Sequence, residues 1–182
     1  RAHQFFLLMN NIFAMVTLKR SHFYTRYALK SFFEYTKIES EDEFLLINND
    51  NRNTDEFSIY NKISIIKNKQ PLGFAENVNQ AISAAIKKEK NLIFLNNDII
   101  FTKNWLDPLK INEKNISIPS SNQIFKYNSD CGNLKLKATM TFEDFNENYD
   151  LLNNIVEKHR KKFKLNQKFQ APLMPFFCFK VP

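Results

Sequence analysis

Glycine is almost missing from this chain, because Gly73 and Gly132 are the only two in 182 residues. The glycine-rich dinucleotide-binding fingerprint and the P-loop each need at least two glycines a few residues apart, so both are excluded. A bound nucleotide would have to be held in another way. Long apolar runs are missing as well. The longest extends from Ile12 to Leu18, far short of the roughly 18 residues that a membrane-spanning helix needs.

Cysteine and histidine are scarce and scattered. Cys131 and Cys178 form no C-x-x-C pair and have no histidine beside them, so neither a zinc site nor a cysteine nucleophile is expected. Two isolated cysteines are typical of a reduced chain, and the predicted localisation is cytoplasmic. Residues 1–11 are expected to precede the folded domain. They are either a remnant of expression cloning or a natural leading segment, because Met9 begins a stretch typical of a natural start.

Positive charge and aromatic bulk are what the chain has in quantity. Lys and Arg number 26 against 19 Asp and Glu, which gives a net charge of +7. This balance favours polyanionic partners, namely phosphates, nucleic acid or an anionic lipid surface. Nineteen Phe, six Tyr and one Trp supply a core for a domain of this length. No internal repeat or low-complexity linker is present, so a single domain over residues 12–182 is predicted.

Short apolar runs alternate with helical patterns in the first 110 residues. The predicted strands are Ile12–Leu18, Phe44–Ile47, Ile63–Ile66 and Leu92–Leu95. Ser21 is predicted to cap a helix that runs through Thr36, and a second helix is predicted from Phe74 to Ile86, where apolar residues recur at helical spacing. Alternation of this kind implies parallel βαβ units, whose ligands bind at the carboxyl ends of the strands.

Three polar clusters follow the ends of these strands. They are Thr17 to Arg20, Asn48 to Asp55 and Asn96 to Asp98. Because the carboxyl ends of parallel strands meet at one edge of a sheet, we expect the three clusters to lie together. The alternative is that they are ordinary turns, since Asn and Asp side chains hydrogen-bond readily to their own backbone.

The pattern changes after about residue 111. Leu134–Phe142 alternates with period two, which predicts a half-exposed antiparallel strand. Helical spacing follows from Phe145 to Phe163, and Pro175–Val181 is predicted as a last strand. The basic run His159–Lys164 could attract an anionic membrane or a lipid-linked phosphate acceptor. The alternative is a solvated helix end whose cations favour the negative helix terminus.

Four blocks of sequence stand in a fixed order along the first 110 residues. They are Val16-Thr-Leu-Lys-Arg20, Asp50-Asn-Arg-Asn-Thr-Asp55, Gly73-Phe-Ala-Glu-Asn-Val-Asn79 and Leu95-Asn-Asn-Asp98, followed by Trp105-Leu106. They resemble the first-strand motif, the D-N-x-S-[ST]-D loop, the G-F-A-x-x-x-N signature and the L-N-x-D form of the metal-binding DxD element of family 2 glycosyltransferases. Pro71 and Asn53 depart from the Asn and Ser that are usual there.

The resemblance implies a fold and an activity. The fold is GT-A, a Rossmann-like α/β/α sandwich with a mostly parallel central sheet, with a nucleotide-sugar-binding half at 12–110 and an acceptor-side half at 111–182. The implied activity is transfer of a sugar from a UDP or dTDP donor to a saccharide or lipid-linked acceptor, with inversion, in bacterial surface-polysaccharide assembly. The family's catalytic base follows the last strand, so no base is assigned and the acceptor-side half is expected to be truncated.

The resemblance also implies roles for individual residues. The donor-binding residues would be Thr17, Arg20, Asp50, Gly73, Asn79, Asn96 and Asn97, with Gly73 permitting a tight turn and Asn79 anchoring the loop. Asp98 is expected to bind Mg²⁺ or Mn²⁺, which prefer oxygen ligands and keep much of their hydration. Asp50 can accept a hydrogen bond from N3–H of uracil or thymine. One alternative is that Asp50 only forms an Asx-turn, and another is that Asn48 or Asn49 contacts the base in its place.

Three other functions are alternatives to glycosyl transfer. A truncated or degenerate relative would bind the nucleotide-sugar without transferring it. A sugar nucleotidyltransferase would carry a glycine-rich phosphate loop near its start, which this sequence lacks. Nucleic-acid binding depends on net charge alone, and nucleic acid is not an expected partner. The expected partners are a nucleoside diphosphate sugar and a saccharide or lipid-linked acceptor, with peripheral contact at the inner face of the membrane.

Overall fold

The central feature of the fold is a β-sheet whose strands are mostly parallel. The structure is a computed structural model that describes residues 10–110, 142–162 and 178–181. Within these ranges the strands are β1 (Asn11–Thr17), β2 (Glu43–Asn48), β3 (Ile63–Lys67), β4 (Asn91–Leu95) and β5 (Cys178–Val181). Their order across the sheet is β3-β2-β1-β4-β5. The first four are parallel to their neighbours, and β5 is antiparallel to β4.

Helices connect the strands and follow them. They are α1 (His22–Tyr35), α2 (Phe74–Lys87), α3 (Asp107–Lys110), α4 (Phe142–Glu147) and α5 (Tyr149–Lys162). Two 3₁₀ segments, Lys19–Ser21 and Asp55–Ile59, lie in the chain that follows β1 and β2. No helix within the described ranges is long and apolar enough to cross a membrane.

Side chains of β1 alternate between two cores, one on each face of the sheet. Phe13 and Met15 pack in one core together with residues of α1, whereas Ile12 and Ala14 pack in the other together with residues of α2. Helices therefore cover both faces. The predicted fold class, an α/β/α sandwich around a mostly parallel sheet, is confirmed.

Phe32 of α1 is the centre of the first core. It is fully buried, and its ring centroid lies 4.9–6.0 Å from those of Phe13, Phe33, Phe44, Phe101 and Trp105. Most of these pairs meet edge to face, an arrangement that stabilises beyond the area buried. The indole of Trp105 also donates a hydrogen bond to Thr36 Oγ1 at 2.8 Å, which fixes the end of α1.

Polar contacts join the amino-terminal ends of the strands. Asp42 is buried, and its Oδ1 accepts the backbone N–H of Asn11 at 2.8 Å. Glu43 pairs with Lys88 and with Lys90, the latter at 2.8 Å. Hydrogen bonds from the two lysines lower the pKa of Glu43 below its ordinary value of 4.5. These contacts tie the region just after α2 to the beginning of β2.

Residues other than glycine occupy the left-handed turns of this glycine-poor chain. The φ angles are 52° at Asn51, 75° at Lys62, 53° at Glu89 and 60° at Asn104. Asparagine enters this region more easily than most residues. Gly73 has φ −67° and ψ 167°, a conformation open to any residue, so the expected tight turn at this glycine is wrong.

The predicted elements of the first 110 residues are confirmed to within one residue at each end. Ser21 lies at the N-cap position of α1, but its hydroxyl makes no capping hydrogen bond. In the second half, α5 and β5 bear out parts of the predicted helix and last strand. The strand predicted at Leu134–Phe142 lies outside the described residues apart from Phe142, which begins α4.

Candidate functional site

The three polar clusters of the sequence lie together at the carboxyl edge of the sheet. β2, β1 and β4 are adjacent and parallel, and Thr17 at the end of β1 is in register with Asn48 at the end of β2. The chain leaving β1 therefore lies between the chain leaving β2 and the chain leaving β4. We call this edge the rim.

Asp50 is held against the backbone that follows β1. Its Oδ2 accepts the N–H of Lys19 at 2.5 Å, and the neighbouring Asn49 N–H donates to the carbonyl of Thr17 at 3.0 Å. The carboxylate is therefore oriented by the main-chain N–H of Lys19. This arrangement does not fit the simple Asx-turn that was the alternative, because the partner of Asp50 lies in a different loop.

Asn97 joins the end of β4 to the beginning of α1. Its Nδ2 donates to Ser21 Oγ at 2.6 Å and to Thr25 Oγ1 at 2.8 Å. Thr25 Oγ1 also lies 2.9 Å from Thr17 Oγ1, and Thr17 is fully buried. The amide of Asn97 and the hydroxyl of Thr17 are thus used inside the protein. These two side chains would contribute to a site by holding the loops after β1 and β4 in place.

Asn48, Asp50 and Arg52, which we call the rim cluster, carry buried polar atoms without hydrogen bonds. Among the described residues, Asn48 Oδ1, Asp50 Oδ1 and the Nε and Nη2 of Arg52 have no partner. Arg52 Nε lies 4.0 Å from Asp50 Oδ1, which is an ion-pair contact but too long for a hydrogen bond. Burial lowers the pKa of Arg52, and the charge of Glu56 acts in the opposite direction. Unpaired atoms of this kind are uncommon in folded proteins and call for a partner.

Asp98 is exposed directly after β4, whereas Asn96 is partly buried. The part of the chain described contains no group of three or more His, Cys, Asp and Glu residues that could hold a metal ion alone. One carboxylate fits a cation that keeps waters and takes the rest of its ligands from bound phosphates. Arg20 is exposed on the 3₁₀ segment after β1, where it is available to an anion.

Buried amides fix the loop that leads into α2. Asn68 Nδ2 donates to Asn49 Oδ1 and to Asn77 Oδ1, both at 2.9 Å. Asn49 Oδ1 also accepts the N–H of Leu72 at 2.8 Å, and Asn77 Nδ2 donates to the carbonyl of Gly73 at 2.9 Å. Because its amide is engaged in this network, Asn49 is a poor candidate for a base contact.

The loop before α2 is anchored by Asn77 and not by Asn79, which corrects the expectation from sequence. Asn77 is buried, whereas Asn79 is exposed. Gly73 is the N-cap residue of α2, and its N–H donates to Glu76 Oε2 at 2.7 Å. A Cβ at this position would lie 3.1 Å from the same oxygen, so the end of the Glu76 side chain would have to shift by a few tenths of an ångström.

Two shallow cavities lie along α2, away from the rim cluster. One, of about 540 Å³, is lined by residues that include Glu76, Asn79 and Lys87. The other, of about 320 Å³, lies between Phe74 and Phe179. Neither is lined by Asp50 or Asp98. The polar geometry of the rim, and not cavity size, identifies the candidate site.

Two features of the site were not predicted. The Asn-rich sequence around Arg52 indicates a polar turn and does not indicate that the guanidinium is largely buried beside Asp50. The Asn68–Asn77 bond was not expected either. Its signal is the position of Asn68, directly after β3 and at the edge where ligands bind.

The chain is similar to solved structures only at a distance. No protein-family model matches the chain, and no curated protein matches it. A solved structure that it resembles is the crystal structure of GalNAc-T7 with UDP, GalNAc and Mn²⁺, with 17% sequence identity and a TM-score of 0.46. The likeness covers 57% of this chain and 20% of that chain. Because the identity and the TM-score are both low, the likeness supports no conclusion about the function of this chain.

Proposed function

We propose that this chain is the donor-binding part of a glycosyltransferase that transfers a sugar from a UDP or dTDP donor. The proposal includes the GT-A form of the α/β/α fold and membership of family 2, on the motifs at the ends of β1, β2 and β4. Its acceptor is a saccharide or a lipid-linked saccharide, and its setting is bacterial surface-polysaccharide assembly with inversion at the transferred sugar.

The observation that carries the proposal is the linkage of three loops at the rim. Lys19 N–H binds Asp50, and Asn97 binds Ser21 two residues further along the same segment. The loops after β2 and β4 are therefore both tied to the loop after β1. An anionic ligand that touches all three would find Asp50 on one side, Arg20 in the middle and Asp98 on the other.

Each of these residues has a role that fits its chemistry. Asp50 accepts from a base that carries N–H at the 3 position, and the guanidinium of Arg20 donates to phosphate oxygens. Asn96 offers an amide to a ribose hydroxyl. Thr17 and Asn97 act indirectly, since their polar groups bind Thr25 and hold the loops in place.

Asp98 is the residue proposed to hold Mg²⁺ or Mn²⁺. A divalent cation there offsets the negative charge that develops on the diphosphate leaving group. The single carboxylate and the exposed position fit a cation whose other ligands are waters and phosphate oxygens.

The proposed location is cytoplasmic, with peripheral contact at the inner face of the membrane. Lys158 and Lys161 are exposed near the carboxyl end of α5. Each positive charge near an anionic bilayer contributes about 1 kcal/mol to binding. A lipid-linked acceptor would bring the enzyme to that surface.

Calorimetric titration with UDP, dTDP and GDP, with and without Mn²⁺, tests the proposal. We expect Mn²⁺ to strengthen UDP or dTDP binding by at least about tenfold, which corresponds to 1.4 kcal/mol. Asp98→Asn should abolish the Mn²⁺ effect. Asp107→Asn removes the same charge from an exposed residue of α3 and should retain it. Equal Mn²⁺ dependence in both variants would contradict the metal assignment.

An assay of donor turnover distinguishes an active glycosyltransferase from a protein that only binds the donor. Donor hydrolysis or transfer in the presence of Mn²⁺ is expected of a glycosyltransferase. Donor binding without either reaction, in this chain and in a longer one, would favour the alternative of a relative that binds nucleotide-sugar without catalysis.

A further inference from the structure

β3 lies at one side of the described sheet. It pairs with β2, and no strand of the described ranges runs along its other side. Ser64 and Lys67 are exposed, and the three isoleucines of the strand are partly exposed. Branched side chains of this kind favour strand pairing. β3 is therefore an edge to which a further strand can bind.

The hydrogen bonds between β2 and β3 show which main-chain groups of β3 face outward. The carbonyl of Lys62 accepts the N–H of Phe44, and the N–H of Asn68 donates to the carbonyl of Asn48. In a parallel pair, only alternate residues of a strand bond to a given neighbour. Even-numbered residues from Lys62 to Asn68 therefore make their main-chain hydrogen bonds to β2. The residues whose N–H and carbonyl groups face away from the sheet are Ile63, Ile65 and Lys67.

A second copy of β3 in antiparallel orientation presents the same groups in a matching order. With the two-fold axis at Ile65, the N–H and the carbonyl of Ile65 bond to those of Ile65 in the second copy, and Ile63 lies opposite Lys67. Every outward N–H and carbonyl of the three residues then has a partner. Ile63 and Ile65 pack partly against the first core, so the pairing would also bury more of their apolar surface.

Charge along β3 also fits this register. Lys67 is the charged residue of the strand, and it lies opposite an isoleucine, whereas an axis at Lys67 would set two lysines against each other. Lys62, directly before β3, donates from Nζ to the carbonyls of Ile38 and Glu39, so its ammonium group is used within its own molecule. Lysines on edge strands often prevent association. Here neither lysine obstructs the antiparallel pairing.

We propose that two copies of this chain associate through β3 and form a dimer with one continuous sheet. A two-fold contact covers the open edge of both copies, so association through β3 stops at two molecules. Because the pairing is antiparallel, the two rims lie at opposite ends of the strands, and both stay open to a ligand. The dimer goes beyond the proposed function and does not depend on it.

Cysteine cross-linking tests the register. Ile65→Cys sets two thiols opposite each other at the two-fold axis, with Cα atoms about 5.5 Å apart, a separation that a disulfide spans. Ser64→Cys is the matched control. Its side chain is more exposed, but its Cα atoms in the two copies would lie about 8 Å apart, beyond disulfide reach.

The rate of covalent dimer formation is the measurement. Under mild oxidation, Ile65→Cys should form the dimer at least about tenfold faster than Ser64→Cys, because pairing raises the effective concentration of its thiols. Random collision would favour the more exposed thiol of Ser64→Cys instead. The native chain, which contains Cys131 and Cys178, gives the background rate.

Sedimentation velocity tests the dimer itself. The native chain should sediment at twice its monomer mass, and dilution should dissociate it. Lys67→Pro removes an outward N–H and leaves the hydrogen bonds to β2 in place, at a position where an edge strand accepts proline. Two hydrogen bonds are lost per dimer, so dimerisation should weaken by at least about tenfold. Lys67→Gln keeps the N–H, removes the same charge and should dimerise at least as tightly as the native chain.

Circular dichroism shows whether each variant is folded. Lys67→Pro should keep the native spectrum, whereas Ser64→Pro removes an N–H that bonds to β2 and should lower the thermal unfolding midpoint. If Lys67→Pro does not fold, the cross-linking comparison decides.

Three results would overturn the proposal. They are a native chain that stays monomeric at every concentration, a dimer as tight in Lys67→Pro as in Lys67→Gln, and equal cross-linking of the two cysteine variants. Titration with UDP and Mn²⁺ is independent of these results, and a failure to bind nucleotide would contradict only the proposed function.

Discussion

Asn77 and Asn79, two residues apart on α2, should respond very differently to mutation. Asn77 is buried and accepts from Asn68, so Asn77→Ala leaves buried polar partners unsatisfied. We expect it to lower the free energy of unfolding by about 2 kcal/mol. Asn79→Ala changes an exposed residue of the same helix and should stay within about 0.5 kcal/mol of the native chain. Urea denaturation measures both, and equal effects would show that Asn77 does not anchor the loop.

Glu43 should make stability depend on pH. Lys88 and Lys90 lower its pKa in the folded chain. A lowered pKa means that the contribution is present above the ordinary value of 4.5 and disappears as the pH falls through the lower, folded value. The free energy of unfolding of Glu43→Gln should therefore be lower than that of the native chain at pH 7. Because the ion pairs of Glu43 are partly exposed, we expect a difference of up to about 1 kcal/mol.

Denaturant unfolding at pH 7 and at pH 3 checks this effect. The difference between Glu43→Gln and the native chain should shrink at the lower pH, and added salt should also reduce it. Glu41→Gln is the matched control, because Glu41 is an exposed side chain two residues earlier. A difference that is the same at both pH values would contradict the ion-pair explanation.

At the level of single residues, sequence predicts position better than orientation. The motif after β4 places Asn97 and Asp98 correctly at the end of the strand. Nothing in it indicates that Asn97 turns inward, because its partners, Ser21 and Thr25, are brought there by the fold. Arg52 was missed for the same reason, since only the folded chain reveals that its guanidinium is buried.

At the level of elements, the predictions succeeded where burial is uniform. All five residues of β4 are buried, and its apolar run marks the strand plainly in the sequence. β3 lies at the edge of the sheet and is partly exposed, yet its branched residues still indicated a strand. The 3₁₀ segment Lys19–Ser21 was not predicted. Its three polar side chains, two of them exposed, give no periodic signal.

Docking of α1 onto the sheet should depend on Phe32. Phe32→Ala removes a fully buried ring that contacts five other aromatic rings, so we expect a loss of about 3–5 kcal/mol in the free energy of unfolding. Ile86→Ala is the control, because Ile86 of α2 is 72% exposed and should change stability by less than about 0.5 kcal/mol. Chemical denaturation of both variants tests this, and similar losses would contradict the proposed core.

At the level of the whole molecule, the alternation of strands and helices predicted the parallel sheet. It also predicted that helices cover both faces of this sheet. The position of β5 was not predicted. The pattern at its residues indicates a strand but contains no information about its neighbour, which is decided by contacts such as the stacking of Phe179 on Phe94 at 5.3 Å. Pairing between distant segments depends on the assembled core.

The antiparallel pairing of β5 with β4 has a consequence for biosynthesis. β1 to β4 are translated first and can assemble while the rest of the chain is still on the ribosome, since domains fold from the amino-terminal side during synthesis. Until Cys178–Val181 emerges, β4 lacks the strand that pairs with its outer edge in the described sheet. An open edge recruits strands from other nascent molecules. We therefore expect the interval between translation of Leu95 and of Val181 to leave this edge of β4 open to pairing with other chains.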